Sequence, residues 1–207
     1  MLQPVEGLEF DSAQHRYCYK GDWLPWSVTQ IVSPKTAYQM ERINADKDGP
    51  DGWAARGSAI HGYLEKHLRG EGVVYDTRWG DWVNPLLDWW LFKGPEVLAL
   101  ELPLVDPKKR VAGSCDFLLK SPKTGRLILG DLKTVKTAKA AKAREAASAQ
   151  LGAYSHMLLD SYGIAVEQCL TVVSGPGVVE YKLTSPDEAG CAWLDAWDAH
   201  KLLQPDW

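Results

Sequence analysis

Apolar positions fall into two kinds of run along this chain, short stretches of strand length and longer stretches with helical spacing. Residues 111–120 and 126–135 read as β-strands separated by Ser121-Pro-Lys-Thr-Gly125, which is turn chemistry, so the pair forms a hairpin. Residues 97–105 form another strand-like apolar run, interrupted by one acid, Glu101. Residues 8–20 alternate aromatic and polar side chains and turn at Gly21-Asp22, predicting a small hairpin ahead of a short helix from about Ser27. Over 53–69, Ile60, Leu64 and Leu68 make the apolar stripe of a helix that His61 borders, and 138–160 reads as another helix. Trp79, Trp82, Leu86, Trp89 and Trp90 are spaced partly as a helix, with Asn84-Pro85 marking a new start or a kink. Strands over 167–174 and 178–183 are joined by Gly175-Pro-Gly177. Ser185-Pro-Asp-Glu188 is then a capping box with proline at the first helical position, opening a terminal helix through about Leu203. The pattern is α/β, a central mixed β-sheet flanked by helices.

Acids inside apolar strands need a reason. If the hairpin loop is Pro122 to Gly125, Ser121 pairs with Arg126, and counting back places Asp116 opposite Asp131. Opposed residues carry Cβ atoms roughly 4.5–5.5 Å apart on one face. Alternation puts Lys133 on that face too, so two acids and one ammonium converge. Two close carboxylates repel, and one protonates unless a cation sits between them. A hard divalent ion with oxygen ligands suits one or two acids plus phosphate oxygens. The other reading is a surface hairpin whose Asp and Lys form a weak ion pair, and these residues alone leave both open.

On the helix over 138–160, Gln150 and Tyr154 lie four apart and share a face. Taken in order, His61 in a helix, Glu101, Gly113-Ser-Cys-Asp116, Asp131-Leu-Lys133 and Gln150-x-x-x-Tyr154 resemble the PD-(D/E)XK nuclease superfamily, specifically its RecB-like, phage-type exonuclease branch. The resemblance spans about residues 53–160. It implies a restriction-endonuclease-like core and hydrolysis of DNA phosphodiesters with Mg²⁺ or Mn²⁺. It implies Asp116, Asp131, His61 and the Leu132 carbonyl as metal ligands, with Glu101 holding a second metal or a ligand water. Lys133 would polarise the attacking water, and Gln150 and Tyr154 would position DNA or the lysine. Asp rather than the more usual Glu at 131 shortens the reach. The implied activity is an exonuclease on DNA ends in recombination, repair or phage DNA metabolism, with a recombination or single-strand-annealing protein as a candidate partner. A structure-selective or nicking endonuclease, and a non-catalytic DNA-binding module of the same fold, are the alternatives.

Composition refines this picture. The 207 residues suit one nuclease domain, with 1–50 as an N-terminal elaboration, 53–160 as the catalytic core and 161–207 as C-terminal strands and helix. The net charge of −4 is unevenly spread: between Asp131 and Glu145 no acid occurs, while Lys133, Lys136, Lys139, Lys142 and Arg144 form a basic strip suited to a phosphate backbone. The other reading of that strip is a solvated helix start. The four cysteines are scattered, so neither a zinc site, a disulfide framework nor the iron–sulfur cluster of some RecB-like nucleases is expected, and no phosphate-binding ATPase loop occurs. No signal peptide or membrane-length apolar run is read, so the expectation is cytoplasmic, in a bacterium or phage-infected cell, without a membrane partner. Of the ten tryptophans, the group over 79–90 is assigned to core packing. Trp53 and Tyr63, near His61, are the better candidates for touching nucleic acid. Gly57, one turn before His61, is read as admitting a closely approaching backbone or substrate, and His15, His67, His156 and His200 as packed or solvated.

Overall fold

The computed structural model describes residues 1–47, 49 and 52–204. Three short antiparallel strands open the chain, β1 (Leu8–Asp11), β2 (Arg16–Tyr19) and β3 (Asp22–Trp23). The predicted hairpin is present, and the Lys20-Gly21 turn adds a third strand to it. Next come β4 (Trp26–Ser27), α1 (Val28–Val32), α2 (Ala37–Ala45), α3 (Trp53–Leu68) and α4 (Gly80–Leu87), with 3₁₀ turns at Thr77–Trp79 and Trp90–Phe92. The remainder is β5 (Glu96–Asp106), β6 (Val111–Lys120), β7 (Leu127–Thr134), α5 (Ala138–Ala143), α6 (Ser148–Tyr162), β8 (Gln168–Gly175), β9 (Val178–Thr184) and α7 (Pro186–Leu202).

Local chemistry explains most boundaries. Ser27, Thr36 and Ser185 each close a reciprocal capping box with the residue three positions on, starting α1, α2 and α7. α2 was not anticipated, and none of its residues is buried. The single helix expected over 138–160 is two helices. At the break, Ala147 N–H donates to Thr171 Oγ1 on β8 at 2.8 Å, a partner invisible in the local sequence. Pro85 lies within α4 rather than at a new start. The Asp81 carbonyl that Pro85 cannot serve accepts instead from Gly177 N–H in the β8–β9 turn, at 2.9 Å.

The six-stranded sheet is mixed, ordered β4-β6-β7-β8-β9, with β5 also pairing β6. β4 runs parallel to β6 and β7 to β8, while β5, β7 and β9 are antiparallel to β6, β6 and β8 respectively. This is the expected α/β architecture, consistent with a restriction-endonuclease-like core. The hairpin register is the one its loop dictates: Phe117 pairs with Gly130 and Lys120 with Leu127, and Ser121 N–H donates to the Arg126 carbonyl at 2.9 Å. Alternation sends Phe117, Leu119, Ile128, Leu170 and Val172 to the layer holding Ile60, Leu64, Val83 and Leu86 of α3 and α4. Leu118, Leu129 and Cys169 go to the layer of α6 and α7, with Leu158 and Trp193. Trp79 is buried in the first layer as assigned and Trp82 donates its indole N–H to the Val135 carbonyl at 2.8 Å, whereas Trp90 is exposed at the surface rather than packed in the core. No helix among the described residues is long and apolar enough to cross a membrane.

Helices α6 and α7 meet backbone to backbone at Gly152. A Cβ there would sit 1.9 Å from the Ala189 carbonyl oxygen, which no rotamer change relieves. Gly152→Ala is therefore expected to cost about 2–3 kcal/mol, as overpacking of a close helix contact does, read from the urea unfolding midpoint.

Candidate functional site

Strand β5 runs along one edge of β6 for its whole length. On the other edge β4 reaches only Val111 and Ala112, and β7 only Phe117 to Lys120. Between them Gly113–Asp116 have no strand neighbour on that side among the described residues. Into this fork opens a cleft of about 840 Å³, lined by Gly113, Ser114 and Asp116 of β6, Asp131–Thr134 of β7, His61 of α3, and Gln150 and Tyr154 of α6. Diverging strands are a common place for a ligand site in α/β sheets.

Asp116 drops out of the ladder on both sides. By register it opposes Glu101 in β5 and Asp131 in β7, yet neither pairing forms. Instead its Oδ2 accepts the Leu132 N–H at 2.5 Å. Glu101 has φ +46°, the left-handed region that costs a non-glycine residue of order 1–3 kcal/mol. Its Oε1 lies 3.8 Å from His61 Nδ1, which is 3.6 Å from Asp116 Oδ2. Ligand atoms of His61, Glu101 and Asp116 all fall within 4.8 Å of one another, a spacing that could hold a metal ion.

Asp131 is not part of that trio but adjoins it. Its Oδ1 accepts from Lys133 Nζ at 2.9 Å and from Gln150 Nε2 at 2.8 Å, and Lys133 donates a further bond to Gln150 Oε1 at 3.0 Å. Lys133 Nζ is also 2.9 Å from Asp131 Oδ2. That approach lacks hydrogen-bond geometry, so Oδ2 is a buried carboxylate oxygen without a hydrogen bond. Carboxylates and an imidazole around such an oxygen fit a hard divalent cation. In an extended strand a residue's N–H and C=O face the same neighbour, so the Leu132 carbonyl shares the side on which Asp116 accepts its N–H.

The electrostatics show a shortage of positive charge. Burial, then repulsion from Asp131, pushes the Asp116 carboxyl up to about 7. Burial alone would lower His61, but its contact with Glu101 and the charges of Asp116, Glu101 and Asp131 raise it to about 9. Burial, reinforced by Asp131, holds the Tyr154 phenol well above its ordinary value. Its ring fits because Gly113 has no side chain: a Cβ there would lie 2.7 Å from it.

The other expected residues divide. Glu101 lines a shallower opening that shares Gly57, Ser58 and His61 with the cleft. Arg144 reaches the cleft, whereas Lys136, Lys139 and Lys142 are exposed and line none of the cavities described. At Gly57 a Cβ would meet only Thr134 Oγ1, at an ordinary 3.8 Å, so no other backbone approaches closely there, and Gly57 lines the cleft. Tyr63 is engaged locally, accepting the Asp76 N–H at 3.2 Å. His67 bonds the Phe92 carbonyl at 2.9 Å and His200 packs on Trp26 and Trp197, but His15 lies at the cleft. Sequence reasoning missed the N-terminal wall, including Phe10, Lys47 and Tyr17, whose hydroxyl is 3.0 Å from Ser114 Oγ. No local pattern ties those residues to β6.

No family model matches the chain, and no curated protein matches it significantly. Among solved structures, the crystal structure of SSO0001 shares 15% identity at a TM-score of 0.43, covering 84% of this chain and 75% of that one. The alkaline exonuclease LHK-Exo from Laribacter hongkongensis shares 10% identity at a TM-score of 0.37, covering 86% and 91%. Both likenesses are loose, and the function of the cleft is argued from its own residues.

Removing the ammonium strands a buried carboxylate. Lys133→Met is expected to cost about 3 kcal/mol in urea unfolding with EDTA present, and adding Asp131→Asn should recover part of that loss. If the double variant is no more stable than Lys133→Met, the pair is not coupled as described.

Proposed function

We propose that this protein is a metal-dependent deoxyribonuclease of the RecB-like branch, an exonuclease hydrolysing phosphodiester bonds at DNA ends in recombination, repair or phage DNA metabolism. The observation that carries the reading is the Asp131–Lys133–Gln150 cluster beside Asp116 and His61, with one buried Asp131 oxygen lacking a hydrogen bond. Asp116, Asp131, His61 and the Leu132 carbonyl would hold Mg²⁺ or Mn²⁺, with Glu101 beside them. When bound, such an ion offsets charge on the phosphoryl oxygens and lowers the pKa of water.

The chain's own residues supply the rest. Lys133 is anchored by Asp131 and Gln150, so its remaining donor direction is fixed. A water held there is positioned for in-line attack on phosphorus and stabilised as it loses a proton. The new bond joins water oxygen to phosphorus and the bond to the 3′ oxygen breaks; the water's proton passes to solvent and the leaving oxygen takes one from solvent, leaving a 5′-phosphate and a 3′-hydroxyl. Gln150 and Tyr154 keep Asp131 and Lys133 in register, and Arg144 is the cation at the cleft best placed to meet a phosphate.

The test is a gel assay on end-labelled linear and covalently closed circular DNA, single- and double-stranded, with Mg²⁺, Mn²⁺ or EDTA. Expected is metal-dependent loss of linear DNA alone, with the first label released giving the polarity. Asp131→Asn and Lys133→Gln should each slow it by about 10²-fold or more while DNA is still retained. Cleavage of circles would make the protein an endonuclease. Retardation without cleavage under any metal would make it a binding module.

A further inference from the structure

Exposed aromatic rings occur elsewhere on the surface, but many are covered. Arg16 lies over Trp23 at 5.1 Å, Arg42 over Tyr38 at 5.9 Å and Lys123 over Trp90 at 4.3 Å, while Tyr181 packs on Trp89. Phe10 is likewise packed on one side, on Tyr17 with His15 at its edge, and what sets it and Trp53 apart is where they lie. They are 46% and 40% exposed, and both line the cleft that holds Asp116 and Asp131.

Each ring is held from behind. Phe10, on β1, rests on its cross-strand partner Tyr17, with ring centroids 4.7 Å apart and planes inclined by 38°. Tyr17 in turn is tied to β6 through Ser114. Trp53, at the start of α3, donates its indole N–H to the Ile43 carbonyl at 2.7 Å, which fixes the ring from the α2 side. Immobilised apolar faces in a cleft that also carries cations are what unstacked nucleobases use, and every base has such a face. The bases of an intact duplex are already stacked on one another, so these rings discriminate for unpaired ends. Lys47 and Arg144 line the same cleft and suit the intervening phosphates.

We infer that Phe10 and Trp53 form a base-stacking subsite, so that the cleft takes a single-stranded DNA end. This rests on the nuclease reading for the identity of the polyanion, and binding without metal separates the two. The measurement is fluorescence anisotropy of the full chain in EDTA with three probes: oligo(dT) of about 12 nucleotides, within the span of a single-strand site, an abasic sugar–phosphate chain of equal length, and a blunt duplex. Oligo(dT) should bind roughly tenfold or more tighter than the abasic chain, the size expected for stacking one or two bases. Phe10→Leu and Trp53→Leu should each weaken oligo(dT) by roughly 5- to 100-fold and leave the abasic chain within about twofold. Trp53→Phe, which keeps a ring, should retain most of the affinity, and Phe10→Leu tests the subsite from a separate element should α3 be disturbed. Equal binding of oligo(dT) and the abasic chain, or equal loss on duplex and single strand, would overturn the subsite. Metal-dependent cleavage by a Phe10→Leu chain of unchanged oligo(dT) affinity would also overturn it and leave the nuclease reading standing. Base-dependent binding with no cleavage under any metal would support the subsite and remove the nuclease reading.

Discussion

The hydrogen bond from Leu132 N–H to the Asp116 carboxylate is the contact on which the cleft depends. Below it, β6 and β7 pair as an ordinary hairpin. Above it, β7 leaves β6 and continues beside β8 as far as Thr134. A backbone donor released by that divergence would be costly to bury unpaired. The side chain of Asp116 answers it from the neighbouring strand, so the sheet can fork without leaving Leu132 N–H unsatisfied. Because the answering group is a carboxylate, the place where the strands part is also where negative charge accumulates.

That charge shapes its surroundings. Asp131, almost wholly buried, is held by Lys133 and by the Gln150 amide, both satisfying one oxygen and leaving the other free of hydrogen bonds. Glu101 adopts a left-handed backbone at the position opposite Asp116, and His61 comes from a different helix layer to lie between the two. Strain and unbalanced charge together cost stability, and folded chains concentrate them where a ligand repays the cost. Gly113 serves the same site sterically, since the Tyr154 ring occupies the volume of its missing side chain.

Much of this was legible in the sequence because it is local. A four-residue turn fixes the β6–β7 register, and a capping box marks where α7 begins. Asp116, Asp131 and Lys133 share a face by alternation alone. What escaped is what distant segments decide. Thr171 breaks the helix expected over 138–160, and the Gly177 N–H lets Pro85 remain inside α4. The basic strip shows the same limit from the other side. Lys136, Lys139, Lys142 and Arg144 are close in sequence, yet the turn at 144–147 brings only Arg144 to the cleft. The first 50 residues carry no catalytic pattern, but their small sheet supplies one wall.

The charge balance constrains any chemistry proposed for the cleft. Glu101, Asp116 and Asp131 face Lys133 and His61, in a chain whose net charge is −4 and which offers a polyanion little long-range attraction. A phosphodiester brought beside three carboxylates is repelled unless further positive charge accompanies it. A divalent cation, were one held there, would remove that repulsion, and by reciprocity a bound phosphate would strengthen the hold on the cation. Under the proposed reading, cation and phosphate would thus be coupled by electrostatics before either took part in a reaction.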